Sequence, residues 1–207
     1  MRHLFCLSIA CLLVLFLRLD STRFWDQDEG FFAGTAAEMH AHDEWIVPVF
    51  NDEMFGHKPP WMYWMMIGGF KLFGVTELGA RFFSAVFATA SVLLIYHLGA
   101  RLRNSRAGFF AGLALGTCLM FSAVGRAATP DSYLVFFSTL SLSIFALHGF
   151  ARRTPTPIAS EPAGIAQREL LPKRWSSYAL MYGVMGLGVL TKGPIGFLYP
   201  MAVNGMF

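Results

Sequence analysis

An all-α, polytopic integral membrane protein is what this sequence predicts, and three observations predict it. The 207 residues are 55% hydrophobic and only 14% charged, with a mean hydropathy of +0.50, whereas a soluble domain carries about 25% charged residues. Four stretches, 82–100, 107–125, 132–151 and 175–191, hold no Asp, Glu, Lys or Arg. They run from 17 to 20 residues, close to the roughly 17–25 needed to cross a hydrocarbon core as a helix. Charge is also segregated: ten of the thirteen acidic residues fall between 20 and 80.

Each span must be helical, because open strands or loops leave backbone amides unpaired in lipid. The first run, Leu4–Leu17, is short and follows Arg2 and His3. It lacks a small-x-small cleavage site before Arg18-Leu19-Asp20, so it reads as an uncleaved first helix, extended by a snorkelling Arg18. In 82–100, the small residues Ser84, Ala88, Ser91 and Gly99 suit close helix approach. Residues 193–207 begin a sixth span, giving five to six membrane helices and the expectation that the sequence is the N-terminal part of one larger transmembrane domain. Cys6, Cys11 and Cys118 lie in apolar runs without metal-ligand spacing and read as packing residues.

Orientation follows from the basic residues. Arg101, Arg103 and Arg106, and the Pro- and Arg-containing linker 151–174, read as cytoplasmic, which leaves 20–80 as the first extracytoplasmic loop. Within it, 59–75 is hydrophobic but interrupted by Lys71 and rich in Trp and Tyr, as interfacial helices are. Residues 30–41 predict a second surface helix, with Phe31 and Phe32 facing lipid.

Four polar clusters then meet the outer face: Asp26-Gln27-Asp28-Glu29, His57-Lys58-Pro59-Pro60, Arg126 with Asp131, and Thr191-Lys192-Gly193-Pro194. Each has a structural reading. Asp28 and Glu29 suit a helix N-terminus, Lys58 and Lys192 suit interfacial anchors, and Arg126 and Asp131 suit a pair across a turn. Together they have complementary chemistry. Lys and Arg hold phosphate through charge-assisted hydrogen bonds, while carboxylates accept a proton or bind a divalent metal. Asp26-x-Asp28 and the His40, His42, Asp43, Glu44 group are weaker metal-like patterns.

The stretches DQDEGFFAGTAAEM (26–39), WIVPVFNDEMFGHKPPWMYW (45–64), GRAATPDSYLVFF (125–137) and TKGPIGFLYP (191–200) resemble blocks of the dolichyl-phosphate-mannose protein mannosyltransferase superfamily, above all its bacterial branch of aminoarabinose–lipid A transferases. That resemblance implies a GT-C fold in the plasma (inner) membrane, with the active site facing the periplasm or exterior. It implies an inverting glycosyltransferase that takes sugar from a polyprenyl-phosphate donor, of undecaprenyl-phosphate type, to a lipid, glycan or protein acceptor. Lipid A modification and protein glycosylation are the two settings it suggests, and no nucleic-acid partner is expected. By matching position, Asp28, Glu29 and Asp131 are the expected catalytic acids. Lys58 is expected on the carrier's phosphate, and Arg81, Arg126 and Lys192 are further phosphate-binding or structural residues. Whether a divalent metal cofactor takes part is left open, Asp28 and Glu29 being the carboxylates that could hold one. The sequence departs from the family at Phe31-Phe32, where Arg-Tyr is usual, and at His57, where an acid is usual. A transporter or lipid flippase is the alternative, although such proteins place binding groups near the bilayer midplane rather than at helix ends.

Overall fold

The computed structural model describes residues 2–24, 27–51, 53–149 and 175–206. The linker 151–174, Asp26 and Asp52 lie outside the described residues, and so do the expectations placed on them. Nine α-helices and one small hairpin are described. The order is α1 (Arg2–Cys11, continued by a π-helical turn over Leu12–Phe16), α2 (Gln27–Ala41), β1 (Val49–Phe50), β2 (Glu53–Met54), α3 (Trp61–Phe73), α4 (Glu77–Leu102), α5 (Ser105–Thr117), α6 (Leu119–Gly125), α7 (Asp131–Gly149), α8 (Trp175–Lys192) and α9 (Ile195–Gly205).

Helix α4 is the organising element and packs against α3, α5 and α7. Thr76 caps it, its side-chain oxygen accepting from the Gly79 N–H at 3.2 Å, which satisfies one of the orphan donors of a helix start. The small residues marked in the sequence sit where backbones approach. Ser84, Ala88 and Ser91 are fully buried, and a Cβ on Gly99 would stand 2.8 Å from the Gly108 Cα of α5. At that end of the bundle, Nδ1 of His3 lies 3.2 Å from the Ser105 carbonyl. The start of α1 and the basic 101–106 connection are therefore together, opposite the acidic loop.

One expectation is corrected here. Sequence 107–125 is not one straight helix: α5 and α6 meet at 68° around Cys118, whose ψ of 122° is extended. The Ser122 hydroxyl donates to the Gly116 carbonyl at 3.0 Å, replacing a backbone bond lost at the break. Among the described residues, two helices are long and apolar enough to cross a membrane, or three if the bent pair is one span, against an expected five to six. Uncharged is not the same as apolar: α8 has the length at 18 residues but carries Ser176, Ser177, Thr191 and Lys192. Helix α9 has 11 residues, which rise only about 16 Å.

The outer loop is packed, not draped. Helix α3 buries Met62, Tyr63, Met66, Ile67 and Phe70 in one core shared with α2, α7 and α8. Phe32 is 5% exposed and meets Tyr63 edge-on at 6.5 Å. Phe31 stacks on Phe55 at 5.9 Å. Both rings turn into the protein rather than toward lipid, because the hairpin folds back over α2. There the ring of Phe50 comes so close to Gly34 that a Cβ would stand 2.7 Å from it, and the Asn51 N–H donates to Glu38 at 3.0 Å. Cys11 is buried, while Cys6 of α1 and Cys118 at the α5–α6 break are exposed.

Candidate active site at the outer end of the bundle

The turn 126–130 between α6 and α7 is where three of the four polar clusters meet. Glu29, in the first turn of α2, is fully buried. It accepts the Ala128 N–H at 2.6 Å from that turn. Arg81 of α4 holds it bidentately, with Nε to Oε1 at 3.0 Å and Nη2 to Oε2 at 2.8 Å. Arg81 also donates to the carbonyls of Leu19, Thr22 and Arg23 at 3.2, 2.7 and 3.2 Å. Such fork-to-fork pairing is the strong form of a charge-assisted hydrogen bond.

Asp131 starts α7 on the other side of the turn and forms an ion pair with Lys192, the last residue of α8. Each side chain keeps about a third of its surface exposed, at 37% and 33%, so the pair faces the outside rather than the core. Gly193, at φ 77°, is the left-handed residue that ends α8 and lets Pro194 start α9. Arg126 does not pair with Asp131, as a turn-spanning pair would require. Its Nη1 and Nη2 donate to the carbonyls of Val14 and Arg18 at 2.8 and 3.2 Å, tying down the end of the first helix, where Arg18 is left-handed at φ 53°. Arg81 and Arg126 line one cavity of about 150 Å³ with Leu19, Thr22 and Ala123.

Asp28 is exposed and Lys58 half-buried, and the structure shows neither side chain in a hydrogen bond or ion pair with another described residue. Both nevertheless belong to this end. Asp28 adjoins Glu29, which touches the turn. Lys58 leads into α3, whose first residue, Trp61, packs edge-on against Phe137 of α7 at 5.3 Å. His57 stacks on Phe55 at 4.3 Å, the ring that also meets Phe31. Below the ion pair a mostly apolar groove of about 340 Å³ opens between α7 and α9, lined by Leu134, Val135, Ser138, Thr139, Ile195 and Tyr199. It begins three residues after Asp131 and three after Lys192.

As a divalent-metal pair, Asp28 and Glu29 do not fit. Glu29's oxygens are already taken by a guanidinium and an amide. Among the described residues no three His, Cys, Asp or Glu side chains are grouped to hold a metal. In the 40–44 group, Asp43 accepts from Trp45 Nε1 at 3.0 Å, and Glu44 accepts from the Ile46 and Val47 amides. Sequence reasoning did not foresee the Glu29–Arg81 pair or the Asp131–Lys192 pair. The only signal for either was a lone charge at the end of an apolar run.

A helical bundle with buried and half-exposed charge pairs at one end, beside a mostly apolar groove, is the architecture of a polytopic membrane protein. Residues 57–154 match the family profile described as dolichyl-phosphate-mannose-protein mannosyltransferase. The chain is 33% identical over 204 residues to an uncharacterized protein of Aquifex aeolicus, covering 98% of this chain and 37% of that one. It is 29% identical over 198 residues to the undecaprenyl phosphate-alpha-4-amino-4-deoxy-L-arabinose arabinosyl transferase of Aeromonas salmonicida, covering 95% of this chain and 33% of that one. The crystal structure of ArnT from Cupriavidus metallidurans bound to undecaprenyl phosphate superposes with a TM-score of 0.79 at 28% identity, over 98% of this chain and 34% of that chain. The chain thus spans about a third of the length of the curated relatives it matches.

Proposed function

We propose that this chain serves a glycosyltransferase that moves a sugar from an undecaprenyl-phosphate-type donor to a lipid, glycan or protein acceptor at the outer face of the plasma membrane. The observation that carries the reading is the meeting of the Asp131–Lys192 pair and the Glu29–Arg81 pair at one turn, at the end of the bundle opposite the basic connection, with Asp28 next to Glu29 in the chain. The family match and the likeness to a structure bound to undecaprenyl phosphate support it. A transporter would need polar groups in mid-span, and these lie at helix ends.

In this reading Asp28 orients and deprotonates the acceptor hydroxyl. The acceptor oxygen attacks the anomeric carbon from the face opposite the phosphate, a C–O bond forms as the bond to the phosphate oxygen breaks, and configuration inverts. Lys58 takes up charge on the departing polyprenyl phosphate. Lys192 supplies a second cation when phosphate competes with Asp131 for it, and the groove beneath accommodates isoprenoid chain. Asp28→Asn in the full-length protein is expected to lower sugar transfer about 10²–10⁴-fold, with donor affinity retained. Lys58→Ala is expected to weaken binding of the polyprenyl-phosphate sugar. The check is transfer of labelled sugar to membrane acceptors, with donor titration. Near-normal turnover in Asp28→Asn would refute its role, and unchanged donor affinity in Lys58→Ala would refute the phosphate contact.

A further inference from the structure

We propose that Glu29 is a positioning residue rather than a catalytic acid: clasped by Arg81, it locks the start of α2, and with it Asp28, in register with the turn that carries Asp131. The inference rests on the transferase reading and assigns Glu29 a different part in it. Its oxygens are enclosed by protein. The side chain is fully buried, both oxygens accept from Arg81, and Oε1 also accepts the Ala128 N–H. Nor does Arg81 have a donor left for phosphate. A guanidinium carries five N–H groups, and the contacts to Glu29, Leu19, Thr22 and Arg23 employ all five.

The knot joins chain segments that are otherwise remote. Glu29 lies 52 residues from Arg81 and 99 from Ala128. Four pieces therefore meet in one hydrogen-bonded contact: the segment 19–23, the start of α2, the second turn of α4, and the 126–130 turn. Asp28 projects into solvent with no anchor of its own. Where it stands relative to Asp131 is set by the residue next to it. Reaction rates respond steeply to such placement, a shift of about 1 Å lowering them by as much as 10²-fold. Breaking a buried pair from one side also strands a charge, which makes the lock all-or-none rather than elastic.

The test uses full-length protein with a polyprenyl-phosphate sugar and membrane acceptors, comparing wild type with Glu29→Gln and Arg81→Lys. Glutamine keeps the size and an acceptor oxygen, and lysine keeps the charge without the fork, so both variants are chosen to fold where alanine would not. Each is expected to lower kcat about 10- to 10²-fold, with KM for the donor within about twofold and both limbs of the pH profile unmoved. Hydrogen exchange in the segment containing Ala128 is expected to quicken in both. Loss of a pH limb in Glu29→Gln would overturn the proposal by showing that Glu29 handles the proton itself. Unchanged kcat with lowered thermal stability would overturn it by reducing the pair to a structural tie. Wild-type protein that moves no sugar would overturn the transferase reading, and the positioning role with it. Wild-type transfer with kcat unmoved in both variants defeats the positioning role alone.

Discussion

At the scale of single residues, the outer loop is shaped by carboxylates that accept backbone amides. The Ile46 and Val47 N–H groups donate to Glu44 at 3.0 and 3.3 Å, and the first of these does most to hold its pKa below the ordinary value of 4.5. Amides that bond a carboxylate favour its charged form. A depressed pKa contributes stability that is complete above pH 4.5 and is lost as pH falls through the lower, folded value. The Ile46 and Val47 amide resonances of selectively labelled protein should therefore shift with a midpoint below 4.5. In Glu44→Gln, which keeps an acceptor oxygen but not the charge, that titration should vanish while the turn persists. Titration at the ordinary value would mean that the two bonds are not made in solution. These local contacts were within reach of the sequence, because donor and acceptor lie two or three residues apart. The long-range ones were not. Lys192 finds Asp131 across 61 positions, and Glu29 finds Arg81 across 52. The residue types announced that partners were needed, but only the crossing of α2, α4 and α7 says which.

At the scale of elements, helix contact is decided by glycine where backbones touch. A Cβ on Gly69 of α3 would stand 2.0 Å from the Gly79 carbonyl oxygen of α4. Backbone cannot swing aside as a flexible side chain can. The short link between the two helices also turns at Gly74, left-handed at φ 75°, so α3 has no slack to retreat. Gly69→Ala should destabilise the protein by at least the roughly 1–3 kcal/mol typical of overpacking. Gly186→Ala, in α8 where a Cβ meets nothing within 4 Å, should be neutral or slightly stabilising, by up to about 1 kcal/mol, because alanine is the better helix former. Thermal unfolding of the purified protein in detergent distinguishes them. Equal midpoints for the two variants would contradict the close α3–α4 contact. Hydropathy located nearly every helix and flagged the small face of α4, yet it missed the Gly69–Gly79 contact and the break at Cys118. Both depend on backbone geometry, which a count of apolar residues does not register. The inward turn of Phe31 and Phe32 was hidden for a related reason. An aromatic ring suits lipid and protein core alike, and the covering hairpin at 49–54 has too short a pattern to be read as strands.

At the scale of the whole molecule, everything proposed for the site depends on the bundle having two chemically different ends. Helix α4 has 26 residues, and at 1.5 Å per residue it separates its ends by about 39 Å, enough to cross a bilayer. One end carries Arg101, Arg103 and Arg106 beside His3, which reaches Ser105. The other carries the Glu29–Arg81 knot, the Asp131–Lys192 pair and the packed acidic loop. Basic connections favour the cytoplasmic side, and the proposed function accordingly has the second end facing outward, where a lipid-borne sugar would be met. Single cysteines test this in a background where Cys6, Cys11 and Cys118 have been replaced. Gln27→Cys and His57→Cys, both exposed, should react in intact cells with a membrane-impermeant maleimide. Arg103→Cys and Arg106→Cys, equally exposed, should react only after the cells are opened. All four positions are exposed among the described residues, so the contrast between the two pairs reports the membrane. Labelling of 103 and 106 from outside, with 27 and 57 protected, would turn the bundle over and set the clustered acids and lysines in the cytoplasm, where the outward-facing chemistry proposed for them has no donor to act on.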